Sequence, residues 1–260
     1  MKTYSIKIPS ILLSIILLWG CSSAPPKSDK EVGKKLELTL QMASLNLTNL
    51  NKRIERKNIT DLVRILKREQ VEVMAVQGIS RYSGVSTRVD FVNELISQTD
   101  WRNAFGEMQN ISGRQTGNAV FSSYPILSHH NQTFDEVKSA SFDAALQATI
   151  DAGVRSLVVI SAQLPVKATT AQQEQCIKLL AALNPDQTDP LTVITGNLPS
   201  LEGSGSAILF TEIQSQEPVK SNPPKIWFST NTTLQLIKSR TIETDLGTLV
   251  IAQLGLFRQK

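Results

Sequence analysis

Gly117-Asn118-Ala119-Val120-Phe121-Ser122-Ser123-Tyr124-Pro125-Ile126 is the stretch from which the fold is most directly read. Ala119 to Phe121 is a short apolar strand. Ser-Ser-Tyr-Pro is its exit, because serine side chains bond nearby backbone and proline fixes φ while offering no N–H. Ile126 to Ser128 then resumes an extended chain, so the unit is strand, turn, strand. Upstream, Val71 to Val76 is another short apolar strand. Lys57 to Arg68 carries Ile59, Leu62, Val63 and Leu66 at helical spacing, with Thr60 and Asp61 near its start, and predicts an amphipathic helix. Val89 to Ile96, with Phe91, Val92 and Leu95, predicts a second helix. Leu36 to Leu45 alternates in its first half and reads as a strand.

Downstream, Ala145 to Ile150 and Ser156 to Leu164 are strands joined by Asp151, Ala152 and Gly153, a hairpin signal. Thr170 to Leu183 predicts a third helix and Leu191 to Thr195 a short apolar strand. Glu202 to Ser206 is a Gly/Ser loop. Ile226 to Ser229, Leu234 to Ile237 and Thr248 to Leu254 close the chain as strands. Strands outnumber helices and come both as hairpins and as helix-separated units. That combination predicts a layered α/β fold with mixed sheets. No internal repeat is visible, although a pseudo-repeat of two β-rich halves stays open.

The N-terminus is of another kind. Lys2 and Lys7 precede an uncharged run from Ile8 to Gly20, dense in Ile and Leu. The run is too short for a bilayer core of roughly 30 Å. Positive charge, a short apolar core and small residues at its end are the pattern of a secretory signal. Leu18-Trp19-Gly20-Cys21 resembles the lipobox of bacterial lipoproteins, with Trp19 a departure from the usual small residue. The resemblance implies diacylglyceryl attachment to Cys21 and cleavage before it. Ser22 resembles the class sorted to the outer membrane. Residues 1–20 are thus expected to be a signal peptide and residues 21–35 a lipidated cysteine with a polar tether, SSAPPKSDKEVGKK from Ser22, of a composition that has little to bury. Residues 36–260 are one large domain.

Charge and cysteine content narrow the function. Without Lys2 and Lys7 the 27 basic residues become 25, against 23 acidic ones. Electrostatic capture of nucleic acid needs a clustered basic face. Lys52, Arg53, Arg56, Lys57, Arg64, Lys67 and Arg68 form the densest group and read as a solvated helix face. Nucleic acid is therefore not an expected partner. Of the two cysteines, a lipidated Cys21 leaves only Cys176 as a thiol, so no intramolecular disulfide forms. Cys176, beside Ile177, Leu179 and Leu180, reads as a small buried hydrophobe. The chain has two histidines, the adjacent His129 and His130. In a strand, neighbours point to opposite faces, so at most one could face a cleft.

Six short stretches, in order, resemble the endonuclease/exonuclease/phosphatase family, whose members include DNase I-like nucleases. They are Met42 to Asn46, Val73 to Gly78, Gly117 to Ile126, Val158 to Leu164, Val193 to Pro199 and Glu243 to Val250. The resemblance implies a DNase I-like four-layer sandwich, two packed mixed β-sheets flanked by helices, with its site at one rim. It implies metal-assisted phosphate-ester cleavage, in which a divalent ion is held by carboxylates and a histidine handles protons.

Carried over residue by residue, the implied site is degenerate. The family's Gln-Glu is Gln77-Gly78 here. Its Thr-His-Leu is Ala162-Gln163-Leu164, and its Gly-Asp-Phe-Asn is Gly196-Asn197-Leu198-Pro199. Its Ser-Asp-His is Thr244-Asp245-Leu246, and Pro224 falls where an Asp orients that histidine. Asn46 and Asp245 survive, a poor cage for a hard cation, and Gly196 is expected to serve a backbone turn. The expectation is a lipid-anchored envelope protein with no intact catalytic residue and no metal or cofactor. It would bind the membrane through Cys21 and a protein or small ligand at the former rim. The alternative is a metal-dependent phosphodiesterase, phosphatase or nuclease with a relocated or weak site, using Mg²⁺ or Mn²⁺ with Asp245.

Overall fold

The computed structural model describes residues 35–48, 50, 53–82, 89–134, 144–164, 169–183, 191–198, 210–213, 223–230 and 233–258. Residues 1–34, with the expected signal, Cys21 and all but the end of the tether, lie outside the described residues, as do Pro199 and the loop from Glu202 to Ser206. In chain order the elements are β1 (Lys35–Asn46), α1 (Arg56–Arg68), β2 (Val73–Tyr82), α2 (Phe91–Thr99), β3 (Arg102–Ile111), β4 (Arg114–Ser122), β5 (Ile126–Thr133), β6 (Ala144–Asp151) and β7 (Ser156–Gln163). There follow α3 (Thr170–Ala182), β8 (Thr192–Asn197), β9 (Phe210–Ile213), β10 (Lys225–Ser229), β11 (Leu234–Thr244) and β12 (Gly247–Arg258).

The strands form two six-stranded sheets, ordered β11-β12-β1-β2-β4-β3 and β5-β6-β7-β8-β10-β9. In each sheet the two central strands are parallel, β1 with β2 and β7 with β8. Every other neighbouring pair is antiparallel. A parallel pair needs a crossover, supplied by α1 in one sheet and α3 in the other. The two orders superpose strand for strand. The open question of a pseudo-repeat is thereby answered: β1–β6 and β7–β12 are equivalent halves. They exchange edges, since β5 and β6 complete the second half's sheet while β11 and β12 return to the first.

The layers follow from alternation along the strands. One set of side chains, including Leu40, Met42, Val73, Val159, Val193 and Leu254, fills the space between the sheets. The opposite set on the first sheet, including Leu45, Val76 and Ile251, packs under α1 and α2. On the second sheet, Ile160, Ile194 and Trp227 pack under α3 with Cys176, Ile177 and Leu180. The result is a helix, sheet, sheet, helix sandwich.

The helices fall where their apolar spacing put them. Ile59, Leu62, Val63 and Leu66 are the buried face of α1. The described residues of the basic group are exposed, and some are partnered: Arg56 reaches Glu94 at 2.8 Å and Arg64 reaches Asp61 at 2.7 Å. Buried Glu69 pairs with Arg68 at 2.8 Å and also with Arg240 of β11, tying the end of α1 to the sheet. Asp90 caps α2 by accepting from the Asn93 N–H at 3.0 Å.

The strands differ more from expectation. β3 and β9 are not legible in the sequence, and β5, β11 and β12 run well beyond their predicted ends. β3 carries few apolar residues, and its inward positions are Ala104 and Gly106. Gly106 is small because β5 comes close: a Cβ there would lie 2.2 Å from the Asn131 side chain. His129 and His130 sit in β5, both exposed, rather than beside a turn. Gly196 is inside β8, not in a turn. Its φ of +144° and the adjacent Ala162 carbonyl, which a Cβ would overlap, both demand glycine.

Two consequences can be measured. Gly196→Ala should cost about 3 kcal/mol or more, from backbone strain and overlap together, read as a lower urea midpoint. Tyr124 donates to Glu72 Oε1 at 2.6 Å, and burial together with that carboxylate pushes its pKa up to about 12. The contact's stabilisation is complete below the ordinary tyrosine value of about 10 and is lost as pH rises towards 12. Stability measured across that interval should fall in the parent protein, and this part of the fall should vanish in Tyr124→Phe.

Candidate functional site

The C-terminal ends of the two parallel pairs meet at one rim. Asn46 ends β1 and stands opposite Gln77 of β2, while Gln163 ends β7 and stands opposite Asn197 of β8. The pseudo-repeat makes these equivalent pairs, so the rim carries four carboxamides. Side chains join them across the sheets. Gln77 is fully buried, and its Nε2 donates to Ser161 Oγ at 2.9 Å. Ser161 Oγ in turn donates to the Val76 carbonyl at 3.2 Å. Thr48, just past β1, donates its hydroxyl to Gln163 Oε1 at 3.0 Å.

Gly78 is held by the same threonine. It sits at a register shift of β2 between Val76 and Ile79, with φ +71°. A Cβ on it would lie 2.7 Å from Thr48 Cα and 2.8 Å from Thr48 N. Thr48 backbone occupies the space together with its hydroxyl, also 2.8 Å away, so turning the side chain would not clear it. No L side chain fits here without rebuilding the bulge.

Asn46 is also engaged. Its Oδ1 accepts from the Thr48 N–H at 3.0 Å, a local turn of the kind asparagine forms with the residue two positions on. The β11–β12 turn lies beside it, for a Cβ on Gly247 would be 3.8 Å from the Asn46 carbonyl oxygen. Within that turn, Leu246 is buried in the apolar cluster under α1 and α2, and Asp245 is exposed. Pro224 is buried just ahead of β10, where Lys225 pairs with Gly196. Six of the seven rim positions named from the sequence are therefore gathered at one end of the sandwich; the seventh, Pro199, is outside the described residues.

Beside the rim is a cleft of about 550 Å³. Gly78, Thr48 and Gln163 form its inner wall. Leu47, Leu50, Ile54 and Met108 give it apolar surface, and Arg53 and Arg114 give it two guanidinium groups. Arg114 donates to Ser80 Oγ through Nε and Nη2, both at 3.2 Å. Among the described residues the lining has no carboxylate and no histidine. Thr48, Ser80, Met108 and Arg114 were not singled out by sequence reasoning. For Thr48 a signal existed, since Asn-Leu-Thr places a threonine where the Asn46 side chain can turn back to it.

A hard divalent cation needs several oxygen ligands, with charge among them. Here one candidate oxygen is bound within its own turn, another position has neither side chain nor room for one, and a third is an amide. Among the described residues no three His, Cys, Asp or Glu side chains come together. The donor set does not fit a magnesium or manganese ion, and no chemical step is derived through one.

No family sequence model matches the chain, and no curated protein sequence does. Solved structures do. An endonuclease/exonuclease/phosphatase family protein from Leptotrichia buccalis C-1013-b is similar over 82% of this chain and 98% of its own, with TM-score 0.60 and 15% identity. The endonuclease/exonuclease/phosphatase from Beutenbergia cavernae DSM 12333 is similar over 84% and 72%, with TM-score 0.66 and 15% identity. The human Nocturnin catalytic domain, solved with a bound sulfate anion, is similar over 85% and 95%, with TM-score 0.61 and 11% identity. The fold is that of the endonuclease/exonuclease/phosphatase family, DNase I-like.

One test bears on the site directly. Gly78→Glu, which restores the family's residue type, should not create Mg²⁺ binding measurable by calorimetry. It should instead lower stability by about 2 kcal/mol or more, because φ and the Thr48 backbone both oppose it.

Proposed function

We propose that this chain is a lipid-anchored protein of the cell envelope, facing the periplasm from the outer membrane, whose phosphohydrolase-like domain binds rather than cleaves. The observation that carries this reading is Gly78. The position where the resemblance calls for a metal-binding glutamate is closed by backbone, so the loss is built into the strand. The other rim positions agree, with neutral amides at Gln163 and Asn197 and a buried hydrocarbon at Leu246. Amides neither carry charge nor exchange protons near neutrality. The cleft suits a ligand with an anionic group, for Arg53 and Arg114, and an apolar body.

A second reading keeps catalysis, through Asp245, which is exposed on the rim turn. Purified protein beginning at Ser22 separates the two. With Mg²⁺ or Mn²⁺, generic phosphodiesters should not be hydrolysed above background, and Asp245→Ala should change nothing. Metal-dependent turnover that Asp245→Ala abolishes would establish the second reading and refute the first. The anchor is tested apart from this. In cells the parent protein should incorporate labelled palmitate and sediment with membranes, and Cys21→Ala should do neither.

A further inference from the structure

The first sheet has an outer face that its helices do not finish covering. Odd-numbered residues of β12 point outward: Leu249 and Ile251 are buried under α1 and α2, and Gly255 and Phe257 lie beyond them. Leu36 pairs with Phe257 across β1 and β12. Ile237 is the extra residue of a bulge in β11, between Leu236 and Lys238. Bulges re-aim side chains. This one turns Ile237 over Gly255, where Leu36, Ile237 and Phe257 converge. A Cβ on Gly255 would lie 2.7 Å from Phe257 Cε2, 3.0 Å from Ile237 Cδ1 and 3.1 Å from Leu36 Cδ1.

The three side chains form one apolar surface that is open to solvent. Leu36 is 45% and Ile237 46% exposed, among the most exposed large apolar side chains of the described residues. Exposed Lys238 stands on the same face, opposite Gln253, and exposed Lys35 and Arg258 pair with each other one position beyond Leu36 and Phe257, with Glu37 3.9 Å from Arg258. Apolar side chains rimmed by lysine and arginine suit a bilayer containing anionic lipid.

The chain itself indicates which occupant to expect. Leu36 is fifteen positions after Cys21. Fifteen residues of chain span at most about 50 Å, whatever their conformation. A lipid on Cys21 would hold this surface near the headgroups at an effective concentration of order millimolar, where even a small contact is occupied.

We infer that Leu36, Ile237 and Phe257 form a second, reversible membrane contact, which lays this end of the sandwich on the bilayer that carries the anchor. The inference rests on the reading of Cys21 as a lipidation site. It also sets a distance. β1 runs from Leu36 to Asn46, about 33 Å at 3.3 Å per residue, so the rim and its cleft lie that far along the sheet from the contact.

The test uses the chain from Cys21 onward, which keeps the whole compact unit Lys34–Lys260. Cys21 is coupled chemically to a maleimide lipid in vesicles of phosphatidylethanolamine and phosphatidylglycerol; Cys176 is buried and does not compete. Two variants each add one indole: Ile237→Trp on the patch, and Ile111→Trp at the tip of the β3–β4 hairpin, where Ile111 is 58% exposed. Brominated acyl chains in the vesicles should quench most of the emission added by Ile237→Trp and little of that added by Ile111→Trp. Adding Leu36→Asp should restore the Ile237→Trp emission. Equal quenching of both, quenching only at Ile111→Trp, or none at either overturns the proposal. So does a blue shift of the Ile237→Trp emission that grows with protein concentration in vesicle-free buffer, which would make a second copy the occupant. Coupling is chemical, so the result does not depend on whether cells acylate Cys21, and failure of palmitate incorporation remains a separate outcome.

Discussion

Two parallel strand pairs packed face to face are the constraint on which the rest of the structure depends. β1 with β2 and β7 with β8 occupy the centres of their sheets, each with a crossover helix on its outer side. The parallel pairing of β1 with β2 stops at Asn46 and Gln77, and that of β7 with β8 at Gln163 and Asn197, so four residues of these central strands arrive at one edge of the sandwich. The sheets are held there by close contact. Gln77 bonds to Ser161 across the interface, and Gly196 leaves room for the Gln77 side chain, whose Cδ would lie 3.2 Å from a Cβ there. A rim that gathers residues from distant parts of the chain follows from that arrangement.

What occupies the rim is chemically consistent. At the positions that the resemblance marks, this chain has amides, a glycine, a buried leucine and one carboxylate, Asp245. The replacements are integrated into the packing. Asn46 and Gln163 are both tied to Thr48, and Thr48 also closes the space over Gly78. One threonine thus fixes three neighbouring positions of the rim. Fold and function are separable, and the arginines of the neighbouring cleft offer a different chemistry from the rim's amides.

β1 and β12 connect the two ends of the molecule. At one end they carry the rim and its turn; at the other they carry Leu36 and Phe257 beside the start of the domain. Anchoring and binding would then be properties of the same pair of strands.

The class of fold and the order of the six motif-like stretches are legible in the sequence. Helices were legible because Ile59, Leu62, Val63 and Leu66 keep helical spacing, and central strands because Val73 to Val76 and Val158 to Ile160 are short apolar runs between turn residues. Gln77-Gly78, Gln163, Asn197 and Thr244-Asp245-Leu246 were found by their order along the chain. β3 was not legible, because its positions facing the other sheet are the small Ala104 and Gly106, and Phe105, Met108 and Ile111 are scattered among polar residues without a strand-like alternation. Tertiary structure alone decided that Gly78 is closed by the Thr48 backbone, that Gly196 serves close packing rather than a turn, and that the two halves exchange edge strands. The physical reason is the same in each case. A local pattern records which face of a strand or helix is buried, whereas the room available at a glycine and the partner of an edge strand depend on chain that is remote in sequence and adjacent only after the sheets have packed.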